Sequence, residues 1–168
     1  MAGTQRVRRA GVLTLSDKGS RGERVDTSGP LLQEMLTTAG FAVACARILP
    51  DVQAQIADCL RLWADSEGLD LVVTTGGTGL TPTDVTPEAT RTVIEREVPG
   101  MAEAMRQASL LKTSRAMLSR GVVGTRGRCL IVNLPGSARA AKENLEVLLP
   151  VLEHALAKLQ GDPDDCGA

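Results

Sequence analysis

Short, continuous apolar segments that each end in a polar or glycine-rich loop are the feature of this sequence that most limits its possible folds. Residues 11–15 and 69–75 are two such segments. Strands that are apolar throughout are typical of a sheet covered on both faces. Other apolar residues recur at helical spacing, as in 31–39 and 56–63. This alternation predicts helices on both faces of a mostly parallel sheet.

Capping and turn residues locate further elements. Residues 42–49 are predicted to form a strand, and Gly40 is expected to end the helix before it. Asp51 stands where the N-cap of the next helix is expected. The run Thr86-Pro87-Glu88 combines a hydroxyl, a proline and an acid, which is typical of a first helical turn. We expect that helix to end near Pro99-Gly100.

The last third of the chain departs from the parallel pattern. Residues 117–124 and 128–134 are predicted strands, and the tight connection Thr125-Arg126-Gly127 between them indicates an antiparallel pair. Ser137 is expected to cap a final leucine-rich helix, which Pro150 should kink or split. The sheet should therefore carry one antiparallel strand at one side.

Length and composition limit the domain count and the class of partner. With 168 residues, the sequence predicts one domain, 1–168, with a core of about 7–160 and a polar tail at 161–168. Phe41 and Trp63 are its only aromatic residues, which argues against single-stranded nucleic-acid binding by base stacking. The net charge of -1 gives no field of one sign that would attract nucleic acid or a membrane.

The cysteines and the N-terminus indicate a cytoplasmic protein. The four cysteines form no C-x-x-C pair, so reduced thiols are expected rather than a zinc site or disulfides. The start, residues 1–6, lacks an apolar signal segment. No apolar run approaches the ~20 residues that span a bilayer. We therefore expect a soluble, cytoplasmic protein.

Loops that follow the buried strands are the expected place for a ligand, because ligands of such sheets bind beyond the carboxyl ends of the strands. Four loops meet this condition. We expect them to form one shared site; they comprise residues 16–28, 50–51, 76–86 and 135–137.

The glycine-rich segment Thr75-Gly76-Gly77-Thr78-Gly79 is a candidate anion site. Glycines allow positive φ and leave backbone N–H groups open to an anion, and the hydroxyls can donate further hydrogen bonds. A tight turn without a ligand is equally compatible with the pattern. The segment is not a P-loop, and Pro82 stands where a dinucleotide fingerprint has its third glycine.

Two acids and a second turn complete the candidate site. Asp84 and Asp51 could hold Mg²⁺, which favours carboxylates combined with substrate phosphates. Alone, Asp84 could be a plain turn acid and Asp51 a plain helix cap. The turn Asn133-Leu134-Pro135-Gly136-Ser137 offers an amide, a hydroxyl and a helix N-terminus to a phosphate, or it is simply rigid.

The loop 16–28 is longer than most connections of its kind. It could close over a ligand with Lys18, Arg21 and Arg24 near phosphates, although a solvated loop is the better explanation of each individual charge. Asp26 and Ser28 could cap the following helix. The only histidine, His154, is predicted to lie on the last helix, away from these loops.

The sequence resembles the molybdopterin adenylyltransferase family, which includes bacterial MogA and the G domain of gephyrin. The resemblance covers about residues 7–160. The segments that carry it, in order, are Ile48-Leu49-Pro50-Asp51, Thr75-Gly76-Gly77-Thr78-Gly79, Asp84-Val85-Thr86-Pro87-Glu88-Ala89-Thr90, Pro99-Gly100-Met101, Leu118-Ser119-Arg120 and Asn133-Leu134-Pro135-Gly136-Ser137.

The resemblance implies a three-layer α/β/α fold, a homotrimer and transfer of AMP from Mg-ATP to molybdopterin in molybdenum cofactor synthesis. A downstream molybdate-inserting protein is then a candidate partner. Asp51 and Asp84 would be the catalytic, metal-associated acids. The ligand would be bound by Ser16, Asp26, Thr75, Gly76, Gly77, Thr78, Gly79, Ser119, Asn133, Pro135, Gly136 and Ser137.

The sequence departs from the family pattern at two positions. Thr83 stands where relatives often have arginine, and Val52 replaces a frequent acid after Asp51. Both departures concern rate and ATP affinity rather than fold. Two alternatives remain open: a MoaB-type protein that binds the pterin, and a non-catalytic carrier or scaffold module.

Overall fold

A six-stranded sheet forms the middle layer of the protein. The computed structural model describes residues 6–163. The strands lie in the order β2-β1-β3-β6-β5-β4. They are β1 (Arg9–Leu15), β2 (Ala42–Leu49), β3 (Leu71–Thr75), β4 (Arg96–Glu97), β5 (Val123–Arg126) and β6 (Cys129–Leu134).

Strands β2, β1, β3 and β6 are parallel, whereas β5 is antiparallel to both of its neighbours, β6 and β4. The expected mostly parallel mixed sheet with one antiparallel strand is confirmed. The parallel strands are buried along nearly their whole length in β1, β3 and β6, as their continuous apolar sequences predict.

Helices cover both faces of the sheet and complete three layers. On one face α2, α5 and α6 pack on alternate strand residues such as Val12 and Val73. On the other face α3 and α4 pack on Leu13 and Val72. The helices are α1 (Asp17–Ser20), α2 (Ser28–Thr38), α3 (Gln53–Arg61, continued by a π-helical turn, Leu62–Ser66), α4 (Thr86–Arg91), α5 (Pro99–Leu110) and α6 (Ala138–Leu159).

Trp63 closes the α3 layer against the sheet. Its side chain is 1% exposed, and it packs on Gly11 of β1 so tightly that a Cβ at Gly11 would lie 2.7 Å from the indole ring. Since real Cβ contacts are longer, only glycine fits there without a shift of the ring. The bare backbone of β1 thus makes room for the largest side chain of the core.

Three details of the sequence prediction are wrong. The strand predicted at 117–124 is a 3₁₀ turn, Ser114–Leu118, followed by β5, and the connection to β6 is the turn at Gly127, where φ is +52°. The helix that begins at Thr86 ends at Arg91, because residues 96–97 pair with β5 instead. Of the two effects expected of Pro150, a split does not occur: α6 is continuous, and Leu148 and Leu152 on either side of the proline are buried in one core.

Asp70 ties the chain together at the amino ends of the strands. Its side chain is 3% exposed and accepts hydrogen bonds from the Arg9 backbone N–H (2.7 Å) and from the Gln160 side-chain amide (2.7 Å). The Arg6 guanidinium lies 3.5 Å away. One buried carboxylate therefore joins the start of β1 to the end of α6.

The remaining predictions concern partners and the chain ends. Within residues 6–163 the structure has no helix long and apolar enough to cross a membrane. Cys45, Cys59 and Cys129 are free thiols, and His154 is exposed on α6. Cys166, the first five residues and most of the polar tail lie outside the described residues.

Candidate active site

A cavity of about 610 Å³ opens at the carboxyl ends of the parallel strands. The four loops predicted to meet there all contribute to its lining. The predicted site residues that line this cavity are Ser16, Asp26, Asp51, Thr75, Gly76, Gly77, Asp84, Gly136 and Ser137.

Asp51 does not cap the helix that follows it. The N-cap of α3 is Val52, which makes no side-chain capping bond. Instead, the Asp51 carboxylate accepts the Asp17 backbone N–H (3.1 Å), and the Asp51 N–H donates to the Asp17 carboxylate (2.9 Å). This reciprocal pair leaves the second Asp51 oxygen, Oδ1, buried and without a hydrogen-bond partner.

An unpartnered buried carboxylate oxygen is costly in a folded protein, and groups that carry this cost often serve a function. Burial raises the pKa of the Asp51 carboxyl, and the charges of Asp17 and Asp84 raise it further, against the effect of the Asp17 hydrogen bond. A cation beside Oδ1 would offset both the cost of burying the charge and the repulsion from Asp17 and Asp84. Asp51 therefore has the features expected of a metal ligand.

Asp84 is held by its own turn. Its Oδ2 accepts the Thr81 N–H (3.0 Å), and a Cβ at Gly79 would lie 2.8 Å from that oxygen. The chain described, 6–163, contains no group of three or more His, Cys, Asp or Glu residues arranged to hold a metal ion. A hard cation bound between Asp51 and Asp84 would take its other ligands from substrate phosphates and water.

The glycine turn needs glycine at two successive positions. Gly76 and Gly77 have φ values of +102° and +66°, a region that favours glycine. The Thr86 hydroxyl, expected to cap α4, instead donates to the Gly76 carbonyl (3.0 Å), and Val85 is the N-cap. The Gly76 N–H donates to the Leu134 carbonyl (3.2 Å), so this N–H is used within the protein.

Hydroxyl and carboxylate side chains fix the loops on the α2 side of the cavity. Asp26 accepts the Thr14 hydroxyl (2.7 Å) and the Gly29 N–H (2.9 Å), so it holds the start of α2, although the N-cap position itself is Thr27. The Thr75 hydroxyl donates to the Pro135 carbonyl (2.7 Å) and lies 3.1 Å from the Ser28 hydroxyl. These bonds join the loops 16–28 and 135–137 through the end of β3.

Other predicted residues lie around a second cavity of about 260 Å³. Thr78, Gly79, Ser119 and Pro135 line it, together with parts of α5 and α6. The glycine-rich segment therefore faces both cavities, with its first half on one and its second half on the other.

Asn133 lines neither of these two cavities. It is 2% exposed, and its amide donates to the Thr74 hydroxyl (3.1 Å) and the Thr90 hydroxyl (2.9 Å). Its oxygen accepts the Val122 N–H (3.2 Å). The amide thus holds β3, α4 and the residue before β5 from within, and its polar atoms are already used. Ser137 caps α6 through the Ala140 N–H (3.1 Å), as predicted.

Arg120 is a supporting residue that the sequence analysis did not single out. Its guanidinium donates to the carbonyls of Gly79 (2.8 Å) and Asp84 (2.7 Å), and it forms a short ion pair with Glu88. Arg120 therefore fixes both ends of the loop that bears Asp84. The only signal in the sequence was its place beside Ser119, since the bonds to residues 79–88 are formed across the fold.

The Glu88–Arg120 pair gives a pH-dependent prediction. The Arg120 hydrogen bond lowers the pKa of Glu88 below its ordinary value of 4.5. A lowered folded-state pKa stabilises the protein above the unfolded value and is lost as pH falls through the folded value. We expect Glu88→Gln to lower the free energy of unfolding by under ~1 kcal/mol at neutral pH. Urea titrations should show that this difference disappears well below pH 4.5.

A constant difference at all pH values would show that the charge of Glu88 plays no part. Glu103→Gln on α5 is the control, since the same change there removes no ion pair with Arg120.

The sequence model of one protein family, described as "Probable molybdopterin binding domain", matches residues 11–154. That range is well over half of the chain. The chain belongs to this molybdopterin-binding family.

Relatives within the molybdopterin-binding family agree with the fold. Molybdopterin adenylyltransferase of Escherichia coli K12 is 45% identical over 141 residues, which are 82% of this chain and 72% of that protein. The solved structure described as the molybdopterin biosynthesis enzyme MoaB of Thermus thermophilus has 57% identity and a TM-score of 0.88, covering 94% of this chain and 99% of that one.

Some relatives are much longer. Molybdenum cofactor synthesis protein cinnamon of Drosophila melanogaster is 42% identical over 153 residues, which are 90% of this chain but 26% of that protein. The chain spans half or less of the length of three curated relatives that it matches. The molybdopterin-binding domain therefore occurs both alone and as one part of larger proteins.

Proposed function

We propose that this protein is a molybdopterin adenylyltransferase that transfers AMP from Mg-ATP to the terminal phosphate of molybdopterin in molybdenum cofactor synthesis. The observation that carries the proposal is the unpartnered buried oxygen of Asp51 in a cavity lined also by Asp84 and the Gly76-Gly77 turn. The name of the Escherichia coli relative supports it.

In the proposed reaction, a terminal phosphate oxygen of molybdopterin attacks the α-phosphorus of ATP. The bond from that phosphorus to the oxygen bridging to the β-phosphate breaks, and pyrophosphate leaves with its electron pair. The attacking phosphate is already ionised at neutral pH, so no general base is needed. This suits a site without histidine, since His154 is on α6 and exposed.

The residues of the cavity fit the needs of such a transfer, which depends on alignment and charge neutralisation. Asp51 and Asp84 would hold Mg²⁺, which when bound supplies positive charge to the phosphoryl oxygens. The turn from Gly77 to Gly79 would direct backbone N–H groups at phosphate. Ser16, Thr75, Gly136 and Ser137 would orient the nucleotide or the molybdopterin phosphate across the same opening.

The second cavity is the proposed place for the pterin. Ser119 and Pro135 line it, and the glycine-rich segment separates it from the first cavity. This arrangement would bring the terminal phosphate of molybdopterin towards the α-phosphate of ATP. We further propose a cytoplasmic homotrimer that passes its product to a molybdate-inserting protein.

The test is turnover by the purified protein. Incubation with molybdopterin and Mg-ATP should give adenylylated molybdopterin and one pyrophosphate per product, detected by mass spectrometry and a pyrophosphate assay. Removal of divalent cation with EDTA should stop the reaction, and added Mg²⁺ should restore it. Absence of both products under saturating substrates would refute the proposal.

A second candidate function is that of a MoaB-type protein that binds molybdopterin without strong catalysis. The 57% identity to the Thermus thermophilus structure described as the molybdopterin biosynthesis enzyme MoaB supports the MoaB type, and the absence of strong catalysis is what the test would have to show. Tight binding of molybdopterin, measured by equilibrium dialysis, without any pyrophosphate release would support this candidate over the transferase.

A further inference from the structure

The main cavity is rich in carboxylates and poor in cations. Three aspartates line it, Asp26, Asp51 and Asp84, whereas Arg24 is the only lysine or arginine among the described residues that form its lining. A nucleotide triphosphate carries several negative charges of its own. One bound divalent cation and Arg24 together would only balance the three carboxylates. Each positive charge near the phosphates therefore has a large effect on the affinity for the nucleotide.

The other two cations of the loop 16–28 do not line this cavity in the described part of the chain. On the loop 16–28, Arg21 forms an ion pair with Glu23 through two hydrogen bonds of 2.9 and 3.0 Å, and Lys18 is exposed and does not line the cavity. The loop that bears Asp84, residues 78–85, contains no lysine or arginine. Arg120, which touches that loop, is occupied by Glu88 and two carbonyls.

The backbone holds Arg24 at the edge of the cavity. Two residues after it, Asp26 is fixed by the Thr14 hydroxyl and the Gly29 N–H. On the other side, the Glu23 N–H donates to the Lys18 carbonyl (2.9 Å) and Gly22 turns with φ +73°. Both flanks of Arg24 are therefore anchored, while its side chain is exposed.

We propose that Arg24 is a substrate-binding residue that contacts the phosphate groups of the nucleotide. This inference rests on the proposed function, since it takes ATP as the ligand of the main cavity. A guanidinium can donate two hydrogen bonds to one phosphate and suits this contact. Arg24 supplies the positive charge that the Asp84 loop lacks.

The experiment compares KM for ATP in the full-length protein, with molybdopterin saturating and Mg²⁺ in excess. We expect Arg24→Ala to raise KM for ATP about tenfold with kcat changed less than about twofold, because the contact is made in both the ground state and the transition state. Arg24→Lys should retain much of the affinity, since it keeps the charge. Arg21→Ala is the matched control on the same loop and should leave KM unchanged.

Two further readouts separate a phosphate contact from a structural effect. Salt screens exposed charges, so KM of the wild type should rise with ionic strength more steeply than KM of Arg24→Ala. Thr83→Arg would place a cation next to Asp84, on a different loop from Arg24. Combined with Arg24→Ala, it should recover at least part of the lost affinity.

The outcomes distinguish this inference from the proposed function. If the wild type turns over and Arg24→Ala has the wild-type KM, the inference is wrong and the function stands. If the wild type binds Mg-ATP in calorimetry without turnover, the function is wrong and the Kd values of the same variants still decide the role of Arg24. If the wild type binds no Mg-ATP, both are overturned.

Discussion

Asp51→Asn should lower kcat for adenylyl transfer about 10²–10³-fold while the protein remains folded. The asparagine keeps an oxygen that can accept the Asp17 N–H, so the reciprocal contact with Asp17 can persist. It removes the negative charge that would hold a cation beside the transferring phosphate. The measurement is the single-turnover rate of pyrophosphate release at saturating Mg-ATP, with molybdopterin affinity measured in parallel.

Stability should be kept in this variant for a physical reason. Burial raises the pKa of Asp51, which means that the folded protein stabilises the charged carboxylate less than water does. A neutral side chain avoids this cost. Asp58→Asn, the same change at an exposed position of α3, is the control. A variant with wild-type rate, or one that loses activity only in proportion to its unfolding, would contradict the assignment of Asp51.

Asp70→Ala should cause the largest loss of stability among single carboxylate changes, about 2–4 kcal/mol in the free energy of unfolding. The Arg9 N–H and the Gln160 amide would lose their acceptor in a buried place. The Arg6 guanidinium is 57% exposed and would return to water, so it adds little. Urea unfolding followed by circular dichroism at neutral pH measures the change.

Asp65→Ala is the matched comparison. Asp65 forms two hydrogen bonds to Arg126, at 2.8 and 2.9 Å, but half of its side chain is exposed. Exposed ion pairs contribute under ~1 kcal/mol. Equal losses in the two variants would mean that Asp70 acts only as another surface charge. Asp70 lies at the amino ends of the strands, whereas the cavity lies at their carboxyl ends. Its loss should therefore lower the free energy of unfolding more than it lowers the turnover rate.

The sequence was sufficient for the parts of the fold that carry a local signal. The buried strands β1, β3 and β6 are continuous apolar runs, and glycines mark the ends of α2 and β3. Strand β4 was missed because its two residues, Arg96 and Glu97, are charged and become a strand only through pairing with β5. Such pairing is a property of the assembled sheet.

In the candidate site, too, the positions of the residues could be predicted from the sequence, whereas their contacts across the fold could not. The strand-end rule brought Asp51, Asp84 and the glycine turn into one cavity without knowledge of any contact. The rule could not show that Asp17, rather than the α3 backbone, is the partner of Asp51, since 34 residues separate them. For Asn133 the sequence did hold a signal of a structural role. Side chains alternate between the two faces of β6, and this alternation places Asn133 on the face covered by α4, beside Thr74 of β3.

The close contact between Trp63 and Gly11 has a practical consequence. The chain has one tryptophan and no tyrosine, so its intrinsic fluorescence comes almost wholly from a single indole that is 1% exposed. That emission reports the packing of the π-helical turn after α3 against this face of the sheet. Unfolding of this layer can be followed optically without a label, and a ligand at the far end of the strands would leave the signal largely undisturbed.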